Sequence, residues 1–133
     1  METANAKQTI LMVDDDEDFV FQLRAQLETA GFNVLVAHNA TDAVAHLAKT
    51  RPDLAILDLM MEKPDVGFML CYRIKKQDPT IPVIMVTSVT SETGLDFDAT
   101  TKEERSWIKA DALLDKPVRF EQLQREMNRL LKG

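Results

Sequence analysis

A single cysteine, Cys71, is all the thiol chemistry that this chain of 133 residues carries, so it can close no disulfide within itself. No apolar stretch is long enough to cross a bilayer, and no charged, cleavable leader opens the chain. Together these absences predict a reduced, cytoplasmic setting without membrane insertion. Basic charge is also short: 16 basic side chains face 22 acidic ones, a formal charge of -6. That balance argues against a general attraction to nucleic acid or anionic lipid and predicts no direct nucleic-acid partner. Repeats, low-complexity tracts and interdomain linkers are missing as well, which leaves room for one core and one domain over residues 1–133. Cys71 reads as a small buried hydrophobe. The two histidines, His38 and His46, have no second histidine or carboxylate at metal-ligand spacing and read as surface or helix-face residues.

What the chain does have is an alternation of short apolar runs with longer amphipathic segments. The runs Ile10 to Val13, Val34 to Ala37, Leu54 to Leu57, Val83 to Val86 and Ala112 to Leu114 are brief and often β-branched, as strands covered on both faces should be. Between them, Phe19, Leu23 and Leu27 recur at helical spacing, as do Val44, Leu47 and Ala48, then Cys71 and Ile74, and finally Phe120, Leu123, Met127 and Leu130. Gly31 is expected to end the first helix, Pro52 and Pro79 to stop the second and third, and Gly67 to precede the third. A further helix is expected to begin near Thr100 or Thr101, each followed three residues on by a glutamate, the spacing of a capping box. Trp107 falls in that helix and reads as core packing ahead of a partner contact. Right-handed crossovers then favour an α/β fold, a doubly wound five-stranded parallel sheet with helices on both faces. Ligands of such sheets sit at the carboxyl ends of the strands.

Asp14 and Asp15 directly follow the first apolar run, Asp58 closes the third, Thr87 closes the fourth, and Lys116 follows the fifth. All five should therefore gather at one edge of the sheet. Taken alone, the acidic run from Asp14 to Asp18 is an ordinary first helical turn with Asp16 as cap; Asp58 is a strand-end cap and Lys116 a surface lysine. Their coincidence changes the reading. Converging carboxylates repel, and the usual remedy is a hard, oxygen-seeking cation such as Mg²⁺. Beside such a cation an ionised carboxylate can attack a phosphoryl group, with Lys116 and Thr87 as phosphoryl ligands.

These residues lie in four motifs that resemble the receiver domain of bacterial response regulators: Ile10-Leu-Met-Val-Asp-Asp-Asp16, Pro52-Asp-Leu-Ala-Ile-Leu-Asp-Leu-Met-Met61, Val83-Ile-Met-Val-Thr-Ser88 and Asp115-Lys-Pro117. The resemblance covers nearly the whole chain. It implies a flavodoxin-like (βα)5 three-layer sandwich with strand order 2-1-3-4-5, and it implies roles. Asp58 would be the phosphoacceptor; Asp15 and Asp58 would bind Mg²⁺ or Mn²⁺ directly, Asp14 through water, and Met60 through its backbone carbonyl. Thr87 would follow the phosphoryl group with Ser88 as its small neighbour, and Lys116, often before a cis peptide bond to proline, would supply the cation. A sensor histidine kinase would be the donor, and an unidentified protein the target of a monomer or of a phosphorylation-dependent dimer. The likeness implies self-phosphorylation and self-dephosphorylation but no turnover of external substrates, with Met60 and Val89 flanking the route of the attacking water.

Three departures from the family pattern stand out. Leu113 occupies the usual place of a switching Phe or Tyr. The turn after Asp58 reads Met61-Glu-Lys-Pro-Asp-Val-Gly67, with its proline displaced and one residue inserted between aspartate and glycine. The stretch from Thr87 to Lys116 is extended around Ser91-Glu-Thr-Gly-Leu-Asp-Phe-Asp98, which suggests a modified output loop or lid. Two other roles within the family remain, a phosphorelay intermediate and a pseudo-receiver that binds partners without phosphorylation. A phosphatase of the haloacid-dehalogenase type would need a second acid where Met60 stands, and the chain lacks room for the usual cap insertion.

Overall fold

Hydrophobic residues on consecutive positions of a strand can all be buried only if both faces of the sheet are covered, and that is how the apolar runs are used. The structure, a computed structural model, describes residues 8–58, 66–87, 110–116 and 118–131. Five strands, β1 (Thr9–Val13), β2 (Asn33–Ala37), β3 (Leu54–Asp58), β4 (Val83–Thr87) and β5 (Ala112–Asp115), form one sheet in the order β2-β1-β3-β4-β5. All four pairings are parallel. Every residue of β3 and β4 is buried. The order and the parallel pairing are those expected from the sequence.

Four described helices cover the sheet: α1 (Glu17–Thr29), α2 (Ala40–Lys49), α3 (Val66–Gln77) and α4 (Phe120–Leu131). Alternate strand residues point to opposite faces, and the core divides accordingly. Leu11, Val13, Ala55, Leu57, Val83 and Met85 pack with Ala43 and Leu47 of α2 and Leu70, Cys71 and Ile74 of α3. Ile10, Met12, Ile56, Ile84 and Val86 pack with Val20, Leu23 and Leu27 of α1 and Leu123 and Met127 of α4. The result is a three-layer α/β/α sandwich. Burial drives the Cys71 thiol up to about 11, so it is a packing residue rather than a nucleophile.

Local chemistry sets the helix boundaries. Asp16 caps α1 by accepting from the Phe19 amide at 3.1 Å, and Asn39 caps α2 by accepting from the Asp42 amide at 2.8 Å. At the far end of α1, Gly31 takes φ 102°, while the Phe32 amide donates to the Leu27 carbonyl and the Gly31 amide to the Glu28 carbonyl, a Schellman closure.

Three expectations need correcting. Gly67 does not precede α3 but is buried in its first turn, because the helix starts at Val66. On α2 the buried alanine is Ala43, while Ala48 is exposed; the stripe runs through Ala43 and Leu47 at i, i+4. On α1 the core position is Val20, and Phe19 lies half-buried beside it. Pro52 and Pro79 lie just beyond the ends of α2 and α3. The helix expected near Thr100 or Thr101, Trp107, the turn 61–65 and the extended segment around 91–98 lie outside the described residues.

Candidate functional site

The sheet register brings the acidic residues together. Val13 of β1 is paired with Leu57 of β3, so the next residues, Asp14 and Asp58, emerge side by side at the carboxyl edge of the two central strands. The Asp14 amide donates to the Ala37 carbonyl of β2 at 3.1 Å, which fixes the chain as it leaves β1. One oxygen each of Asp14, Asp15 and Asp58 lies within 4.8 Å of the others. Asp14 and Asp58 are buried and Asp15 is exposed, so the cluster has a dry floor and an open side.

Lys116 arrives from the last strand. Its amide donates to the Thr87 carbonyl at 2.8 Å, which ties the residue after β5 to the end of β4. Its Nζ lies 2.9 Å from Asp14 Oδ2 and 3.9 Å from Asp58 Oδ2. The approach to Asp14 is an ion-pair contact, and Asp14 Oδ2 is a buried carboxylate oxygen without a directed hydrogen bond. Asp14 Oδ1, by contrast, accepts from the Asp16 amide at 2.9 Å. Burial pulls the Lys116 pKa down, but contact with Asp14 and the charges of Asp14, Asp58 and Asp16 outweigh it and hold the ammonium above its usual range. Thr87 is fully buried as the last residue of β4, paired with Asp115 across the sheet.

Phe19, read from the sequence only as part of a helix face, belongs to this site. Its ring lies under the Lys116 ammonium, 4.6 Å from Nζ to the centroid, within cation–π range. The signal was its place in the first turn of α1, immediately after the acidic residues. His38 is exposed, and His46 Nε2 is 3.0 Å from the Val36 carbonyl, both consistent with non-ligand histidines. Met60, Ser88, Val89 and Pro117 lie outside the described residues. Leu113 is half-buried against the core shared with α2 and α3.

Three carboxylates against one ammonium leave a formal excess of two negative charges. A like-charged pair at this spacing repels by roughly 3 kcal/mol at an effective dielectric near 20. The donors are all hard carboxylate oxygens, and one of them is buried without a directed hydrogen bond. This set fits an oxygen-seeking divalent cation of the Mg²⁺ type.

With the fold and the cluster in place, comparison with known proteins gives the family. The model of the response regulator receiver domain matches residues 10–128. The chain belongs to that family. The alkaline phosphatase synthesis transcriptional regulatory protein PhoP of Bacillus subtilis is 33% identical over 108 residues, which cover 81% of this chain and 42% of that protein. The response regulator MprA of Mycobacterium avium is 33% identical over 125 residues, 92% of this chain and 50% of that protein. The chain thus spans about half the length, or less, of these curated relatives. Among solved structures, a CheY-like receiver domain protein from Methanospirillum hungatei superposes with a TM-score of 0.78 at 26% identity, covering 95% of this chain and 94% of that one. Receiver domains of two-component response regulators are in general phosphoacceptors that interact with histidine kinases and bind Mg²⁺ at an acidic pocket. Among the described residues no helix is long and apolar enough to cross a membrane.

Proposed function

We propose that this receiver takes a phosphoryl group on Asp58 from the phosphohistidine of a sensor kinase and signals by protein contact. The observation that carries the reading is the convergence of Asp14, Asp15 and Asp58 within 4.8 Å, beside the Lys116 ammonium, at the carboxyl edge of the sheet. In this reading a carboxylate oxygen of Asp58 attacks phosphorus. The new P–O bond forms as the P–N bond to the donor imidazole breaks, and the imidazole keeps the bonding pair. Lys116, held by Thr87 through the backbone and by Asp14 through charge, stabilises the transferring oxygens. Thr87 offers its hydroxyl to the phosphoryl group once transferred.

Asp14, Asp15 and Asp58, with the backbone carbonyl of Met60, would hold Mg²⁺ or Mn²⁺, which when bound neutralises charge on the phosphoryl oxygens. Residues 1–133 act as one receiver domain in a reduced, cytoplasmic setting. Apart from gaining and losing its own phosphoryl group the chain performs no catalysis. Intact mass after incubation with phosphoramidate and Mg²⁺ tests the proposal. Wild type should gain one phosphoryl group, and Asp58→Asn and a chelated control none. An equal adduct on Asp58→Asn, or no adduct on a folded wild type, refutes it.

A further inference from the structure

A concavity that none of the three clustered carboxylates lines lies on the side of the sheet covered by α2 and α3. A groove of about 620 Å³ runs between α2 and α3, with Ala40 and Val44 on one wall and Val66, Met69 and Tyr72 on the other. Met69 and Tyr72 are 62% and 58% exposed, two of the three large hydrophobic side chains that the described surface leaves open. The helix that bears them has no acidic residue but carries Arg73, Lys75 and Lys76. Lys75 is engaged, 2.7 Å from Asp111 and 2.8 Å from the Ile81 carbonyl. Arg73 and Lys76 line the groove and have no carboxylate partner among the described residues, although the chain as a whole is acidic. A smaller depression of about 360 Å³ shares Tyr72 and Lys76.

We infer that this groove is a docking surface for an acidic amphipathic helix of another protein. Such an occupant would lay an apolar stripe along Val44, Val66, Met69 and Tyr72 and set its carboxylates against Arg73 and Lys76. From Val66 to Lys76, α3 advances by about 15 Å, which matches roughly three turns of a bound helix. The charge pattern selects the partner. Although the chain carries a formal charge of -6, Arg73 and Lys76 offer an acidic segment favourable charge beside the apolar groove, which steers its encounter to this strip. A second copy of this chain is disfavoured as occupant because both copies carry the same negative charge.

Selection of a displayed library of helical peptides, about sixteen residues long, on the whole 133-residue chain tests the inference, with counter-selection on a Met69→Ser, Tyr72→Ser double variant. Enriched peptides should carry apolar residues at i, i+3, i+4 and i+7 flanked by Asp and Glu. Their affinity, read by fluorescence anisotropy, should fall about tenfold or more on Arg73→Glu, Lys76→Glu. Their amide shift changes should centre on 40–49 and 66–77. All four substituted side chains are exposed, so the variants should keep the wild-type circular dichroism spectrum and melting temperature. Enrichment of basic or neutral peptides, affinity indifferent to charge reversal, shift changes elsewhere, or no enrichment over the counter-selected variant would each overturn the inference. So would a sedimentation-detected dimer that Tyr72→Ser abolishes, since that would make a second copy the occupant.

Discussion

Lys116 holds its ammonium 4.6 Å from the centroid of the Phe19 ring, so an aromatic face from the start of α1 supports a cation delivered by the end of β5. Together with Asp14 and Asp58 at 2.9 and 3.9 Å, the ring restricts where Nζ can go. A cation–π contact of this kind contributes roughly 0.5–2 kcal/mol. Phe19→Leu keeps an apolar side chain but removes the ring. If Lys116 acts in transfer, the rate of phosphorylation by phosphoramidate should fall by a factor on the order of three to ten, and Phe19→Tyr should restore it. Stopped-flow fluorescence or time-resolved intact mass provides the rates. Equal rates in wild type and Phe19→Leu would remove Phe19 from the site.

The raised pKa of Lys116 makes a prediction about stability. Its folded-state value exceeds the unfolded one, so its pairing adds stability that is fully present below the ordinary lysine value of 10.5 and is lost as pH climbs through the folded value. In chelated buffer Lys116→Met should lower unfolding free energy at neutral pH by about 1–3 kcal/mol, less than for a fully buried pair because the side chain keeps 17% of its exposure. The gap between wild type and variant should close at alkaline pH. Urea titrations at several pH values measure it, and parallel curves for the two proteins would count against the assigned pairing.

The carboxylate cluster should cost stability when no cation neutralises it. Asp58→Asn removes one of three converging charges, so in chelator the variant should be more stable than wild type by about 1 kcal/mol. Mg²⁺ at ten times its dissociation constant should stabilise wild type by roughly 1.4 kcal/mol through mass action. The same concentration should stabilise Asp58→Asn much less. Denaturant midpoints with chelator and with Mg²⁺ decide the matter. A wild type indifferent to Mg²⁺, with the variant no more stable than it, would refute the cation site.

Much of this arrangement is legible in the sequence because parallel strands buried on both faces must be short apolar runs, and the residue after each run must land on one edge. Asp14, Asp58, Thr87 and Lys116 are placed by that logic alone. What it misses has a common cause. Phe19 sits one position from the core residue Val20, and hydrophobic periodicity does not separate a ring that packs on side chains from one that supports an ammonium. Ala43 and Ala48 are equally apolar, and only the direction from which α2 meets the sheet makes the first buried and the second exposed. The groove beside α3 is invisible for the same reason: Met69 and Tyr72 look like core residues in a line of text.

Gly31 offers a test of the fold that is independent of the site. It occupies φ 102°, where a Cβ is strained against its own backbone, yet an added Cβ would meet nothing within 4 Å. Any penalty from Gly31→Ala therefore reports backbone conformation and not crowding. The expected loss is about 1 kcal/mol, with Gly31→Asn losing less because asparagine tolerates the left-handed region. The turn it closes joins α1 to β2, through the Phe32 amide on the Leu27 carbonyl, and lies at the far end of α1 from Asp16 and the carboxylates. Phosphorylation of the folded Gly31→Ala protein should therefore proceed at the wild-type rate while its urea midpoint falls. An unchanged midpoint would mean that the chain does not hold Gly31 in the left-handed conformation on which this closure of α1 depends.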